Sequence, residues 1–180
     1  MTRITSEAFG RLFDAFSATA DRIELRDYYR SDLEDEVVRR FVAGEPDDMA
    51  WSKPWLDMIR ARTEEGKLFR RVRVVTVPLS EYQRCGVMRV APHNIEAGED
   101  IRYLDRAQAT DLDLPVFDYW LFDVGTSAAR AAKLLFDDRG SFLGAEIITG
   151  DPLGDLSAAF GRAFSHALLP EHFAEVHRLG

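Results

Sequence analysis

The chain has 180 residues, of which 46 % are hydrophobic, 11 % aromatic and 30 % charged. That length suits one sizeable core and is short for two, so a single domain over residues 1–180 is expected, and the aromatic content excludes a disordered segment. The formal charge of −8, from 31 acidic against 23 basic residues, repels phosphate backbones and argues against direct nucleic-acid binding.

No apolar run is long enough to span a bilayer, and Met1 to Gly10 has no basic-then-apolar leader, so a cytoplasmic protein without membrane contact is expected. The lone cysteine, Cys85, has no partner for a disulfide or a paired thiol site and reads as a small half-buried side chain on a helix.

The first third of the chain reads as helical. Phe9, Leu12, Phe13 and Phe16 recur at helical spacing. A second helix is expected from Asp32 to Ala43, with Asp35–Arg39 and Glu36–Arg40 pairs and Gly44 as its stop. A third starts with Ser52 as cap and Pro54 in its first turn, turns Trp55, Met58 and Ile59 inward and ends at Gly66. Between the first two, Arg22 to Arg26 offers a short strand.

From Phe69 the period becomes two, and Val72, Val74 and Val75 suit a half-buried strand that Pro78 ends. Ser80 and Gln83 form a capping-box signature for a helix to about Val90, with Pro92, His93 and Asn94 in a loop. Strands follow at Asp100–Leu104, Phe117–Asp123, Ala132–Asp137 and Phe142–Thr149, the last two joined as an antiparallel hairpin by Asp138-Arg139-Gly140. In Phe117–Asp123, Trp120 and Phe122 share one face and Tyr119 and Leu121 the other, which marks a central strand with Trp120 as a core anchor. Asp151 and Pro152 open a helix with Leu156, Phe160, Ala163 and Ala167 inward, and a short helix begins near Pro170. The expected class is α+β, a helical N-terminal third followed by a mixed, largely antiparallel sheet covered by helices.

No catalytic set emerges. His93, His166, His172 and His177 lack metal-ligand spacing, no Gly-x-Ser-x-Gly elbow occurs, and neither a Walker loop nor Gly-x-Gly-x-x-Gly is present, so no metal and no cofactor is expected. Asp118, Asp123, Asp137 and Asp138 fall at strand ends, where they would converge as an acid/base pair or cation site, or else bond local backbone in turns. The sharper candidates are Arg71 and Arg73, which alternate onto the face of Phe69 and suit a phosphate or carboxylate held by bidentate guanidinium contacts. The competing reading has them as a solvated strand entrance or paired with the acidic helix Asp32 to Glu36.

The strings Arg70-Arg71-Val72-Arg73-Val74-Val75, Pro78-Leu79-Ser80-Glu81-Tyr82, Asn94-Ile95-Glu96-Ala97-Gly98-Glu99-Asp100-Ile101-Arg102 and Asp118-Tyr119-Trp120-Leu121-Phe122-Asp123 carry a resemblance. From about Ile23 to Phe173 the chain resembles a family of uncharacterised domains of high-GC Gram-positive bacteria, often encoded beside helix-turn-helix regulators. The resemblance implies a regulatory setting and brings no activity with it. Gly66 with the Arg-rich strand, Asp137-Asp138-x-Gly140 and Asp151-Pro152 also look similar to degenerate phospholipase D-like domains. The His-x-Lys of active members is missing at His93 and His166, which implies loss of phosphodiester chemistry.

Two functions follow as expectations. The first is a non-enzymatic regulatory or interaction domain that binds a partner protein, such as a helix-turn-helix regulator, or a small anionic ligand. The second is an enzyme acting on a phosphorylated or anionic small substrate, with Arg71 and Arg73 as anion holders and Asp123 or Asp137 as acid or base.

Overall fold

The computed structural model describes residues 2–179, so Met1 and Gly180 of the expected 1–180 domain lie outside the described residues. Its frame is a seven-stranded mixed sheet in the order β1-β7-β6-β5-β2-β3-β4. The strands are β1 (Thr2–Ile4), β2 (Thr19–Glu24), β3 (Leu68–Val75), β4 (Glu99–Asp105), β5 (Tyr119–Phe122), β6 (Arg130–Phe136) and β7 (Phe142–Ile148). β2, β3 and β4 run parallel, while β5 is antiparallel to β2 and the pairings from β5 out to β1 are antiparallel as well.

The class is α+β, but the helical N-terminal third is corrected. That third holds two strands, one of them beside the central strand β5. The helical Phe spacing resolves into two short helices, α1 (Ser6–Gly10) and α2 (Leu12–Ala15), with the chain extended from Phe16. The short strand expected at Arg22 to Arg26 forms as β2, which starts earlier, at Thr19, and ends at Glu24; its charged positions, Arg22 and Glu24 on one face and Asp21 buried against Arg70 on the other, mask the alternation that would mark its bounds.

Each face of the sheet has its own cover. Ile23, Val72, Val74, Tyr119 and Leu121 pack under α8 (Pro152–His166), the helix that follows the one-turn α7 (Arg106–Ala109); its Leu156, Phe160 and Ala163, with Ala167 just past its end, form the expected inward stripe. Burying each of the larger of these side chains contributes roughly 1.5–3 kcal/mol. On the other face Ala20, Phe69, Trp120, Phe122 and Leu134 pack against Phe13 and Phe16 and against Ile59 of α4 (Lys53–Glu64). Trp120, only 1 % exposed, is the expected core anchor, set edge-on to Phe13 with ring centroids 4.9 Å apart.

The helix α3 (Asp32–Val42) starts where expected, capped by Ser31. Its Glu36–Arg40 pair forms at 3.0 Å, whereas Arg39 pairs with Glu36 and Glu45 instead of Asp35, which accepts from Tyr28. Ser52 does not cap α4 with its side chain; its hydroxyl donates to the Met49 carbonyl. The Ser80–Gln83 capping box opens α5 (Glu81–Cys85), and the chain then continues through a π-helical turn, Gly86–Val90, into α6 (Ala91–Glu96). The loop expected at Pro92 to Asn94 is therefore helical, because proline in a first turn has no intrahelical N–H bond to lose. Among the described residues no helix is long and apolar enough to cross a membrane.

Candidate functional site

The register of three strands assembles a charged floor on the α4 side of the sheet. Parallel pairing sets Arg22 beside Arg71 and Glu24 beside Arg73, and antiparallel pairing sets Arg22 beside Trp120. Because side chains alternate along a strand, Arg22, Glu24, Arg71, Arg73 and Trp120 all project from this face. Glu24 is the hub: its carboxylate lies 3.0 Å from Arg22, 3.0 Å from Arg71 and 2.6 Å from Arg73. Arg71 also donates to both oxygens of the buried Glu99, at 2.7 and 3.0 Å. The rings of Trp55 and Trp120 lie under the Arg71 guanidinium, and Trp120 and Tyr29 under that of Arg22.

Burial alone would raise the Glu24 carboxyl, but Arg22, Arg73 and Arg71 outweigh it and hold the group at about 2. Glu24 is thus ionised at neutral pH and a poor proton acceptor. Cys85 lies on a helix as expected, at the end of α5, but is buried rather than half-buried, and burial pushes its thiol up to about 11.

Above this floor is a cavity of about 470 Å³, within the range of small-molecule sites. Its walls are largely aromatic: Phe9, Tyr29, Trp51, Trp55, Tyr82, Phe136 and Phe142 surround Trp120, so that all three tryptophans of the chain border it. α3 closes one side with Leu33, Glu34 and Val37, and the Glu34 carboxylate accepts from the Tyr82 hydroxyl at 2.6 Å. Tyr29 is anchored through its hydroxyl to Asp118, which also accepts from the Leu25 backbone N–H. Gly86 lets Arg73 approach the π-helical turn, since a Cβ there would stand 3.1 Å from Arg73 Nη1. Two buried donors on cavity-lining residues, Arg22 Nε and Trp51 Nε1, have no acceptor among the described residues.

Arg71 and Arg73 therefore come together, although not as a solvated strand entrance. Both are largely buried, and their partners are Glu24 and Glu99 rather than the acidic first turn of α3. The aspartates do not converge. Asp123 and Asp118 flank opposite ends of β5. Asp123, fully buried, accepts from the backbone N–H groups of Ser17 and Ala18 at 2.8 and 2.7 Å and so fixes the entry into β2. Asp137 accepts from the backbone N–H groups of Arg139 and Ser141 in the hairpin turn, and neither Asp123 nor Asp137 lines the cavity. No group of three or more metal-ligating side chains occurs among the described residues.

Sequence reading missed Arg22, Glu24 and the tryptophan walls. The signal available was the alternation Arg22-x-Glu24 beside Arg71-x-Arg73, which acquires meaning only once the two strands are known to be neighbours.

No curated protein matches the chain. Residues 7–175 match the family described as Domain of unknown function (DUF6879), and the chain belongs to that family.

Proposed function

We propose that the protein is a non-enzymatic binding domain whose ligand is a small anion held in the cavity over Arg22, Arg71 and Arg73. The observation that carries this reading is the gathering of three guanidinium groups at the floor of an aromatic-walled cavity. A ligand supplying negative charge and acceptor atoms is the chemistry that guanidinium groups recognise. The regulatory setting implied by the family resemblance fits such a module, with occupancy of the cavity read by a partner protein.

The rival enzymatic reading needs Asp123 or Asp137 as acid or base, and both are engaged with backbone away from the cavity. Glu24, the carboxylate at the floor, is too weakly basic at about 2 to take a proton near neutrality.

Thermal unfolding in the presence of millimolar acetate, benzoate, inorganic phosphate and phenyl phosphate tests the proposal. At least one anion should raise Tm by several degrees in the wild type, following the linkage between occupancy and stability, and not in Arg22→Gln. Equal shifts in both proteins, or none in either, would contradict it.

A further inference from the structure

The same cavity restricts what kind of anion it accepts. Four of its lining residues are arginines, Arg22, Arg30, Arg71 and Arg73, and two are carboxylates, Glu24 and Glu34. Glu99 lies behind Arg71 and neutralises a further charge. Arg30 and Glu34 stand on the α3 side, one charge of each sign, with Glu34 accepting from the Tyr82 hydroxyl. At the floor, three guanidiniums thus face two carboxylates, a surplus of one. Asp118 does not line the cavity; it stands behind Tyr29, and its carboxylate accepts from the Tyr29 hydroxyl and the Leu25 backbone N–H.

A single negative charge completes this arrangement. A dianion would bring its second charge beside Glu24, which stays ionised at the centre of the floor, and like charges in a partly buried site are costly. The walls add a second demand. Trp51, Trp55, Tyr29 and Tyr82 line the cavity, and the floor arginines already lie over the rings of Trp55 and Trp120. A planar ring inserted here would gain aromatic contacts that an aliphatic group of equal size cannot match.

We infer that the cavity is selective for a planar aromatic monocarboxylate, its carboxylate directed to Arg22 and its ring held between the tryptophan and tyrosine walls. Arg22 is the natural receiver because its side chain is the most exposed of the three, at 17 % against 11 % for Arg71 and 10 % for Arg73, and because it pairs with Glu24 alone whereas Arg71 is shared between two carboxylates. This inference rests on the reading of the cavity as an anion site.

Isothermal titration at pH 8 with 1-naphthoate, 1-naphthamide, 1-naphthyl phosphate, cyclohexanecarboxylate and inorganic phosphate separates the two levels. The expected result is that 1-naphthoate binds at least ten-fold more tightly than each of the others and loses at least ten-fold in Arg22→Gln, with circular dichroism confirming that the variant is folded. If the variant does not fold, the wild-type ranking alone decides. Binding of 1-naphthyl phosphate or cyclohexanecarboxylate as tight as that of 1-naphthoate would overturn the ligand class and leave the anion site standing. Equal binding of the neutral amide, or no binding by any of the anions, would overturn both.

Discussion

Removing the Glu24 carboxylate leaves Arg22, Arg71 and Arg73 with Glu99 as their remaining counter-ion at the floor of the cavity. Breaking a buried ionic cluster in this way costs about 3–5 kcal/mol, because the uncompensated charges stay desolvated. Glu24→Gln should lose that much stability in urea unfolding at neutral pH. The pH dependence has a definite sign. A carboxyl lowered to about 2 from its ordinary 4.5 contributes stability that is complete above pH 4.5 and is lost as pH falls toward 2. The gap between wild type and Glu24→Gln should therefore narrow across that window; a gap under about 1 kcal/mol, or one indifferent to pH, would refute the hub role. Asp123 makes a separate case. Asp123→Ala strands the N–H groups of Ser17 and Ala18 in the interior and should cost about 3 kcal/mol, given roughly 1.5–3 kcal/mol for bonds to a charged acceptor. Anion binding by the folded fraction of that variant should be unchanged, as measured by titration, and loss of binding would return Asp123 to the site.

Among the elements, β1 depends on a single close approach. Gly144 of β7 has φ +122°, and a Cβ there would stand 2.5 Å from the Ile4 carbonyl oxygen of β1. Gly144→Ala should thus detach the edge strand Thr2–Ile4 at a cost of about 1–3 kcal/mol, since both the backbone conformation and the spacing oppose a side chain. Hydrogen exchange at Arg3 and Ile4 should accelerate while that of β5 is preserved; unchanged protection would mean that the pairing tolerates the methyl group. This level is also where the sequence was most legible. The hairpin of β6 and β7, the alternation across β5, the stripe of α8 and the Ser80 capping box all rest on local patterns of two to four residues, and each forms as expected. β2 was less legible because a strand with Arg22 and Glu24 on one face lacks the apolar alternation that identifies a half-buried strand. Its charges are tolerated only because β3 and β5 bring their partners across the sheet.

At the scale of the molecule, the sheet divides labour between its faces. The face under α8 is closed by apolar packing, and the opposite face is apolar toward α1, α2 and α4 but charged where β2 and β3 approach α3 and α5. Arg71 and Arg73 could be placed on one face from the sequence alone. Their burial could not, because it requires Glu24 and Glu99 from two other strands. A chain of formal charge −8 thereby carries an arginine-lined floor that its overall composition conceals. The most direct measurement is heteronuclear NMR of the side-chain N–H signals while 1-naphthoate and then inorganic phosphate are added. With all three tryptophans bordering the cavity, at least one of these anions should move the indole signals of Trp51, Trp55 and Trp120 together with Arg22 Nε. Arg162 Nε, which donates to the Leu112 carbonyl on the α8 face, should stay fixed. Silence at Arg22 and the tryptophans with both anions, or shifts centred on Arg162, would contradict the assignment of the cavity as an anion site.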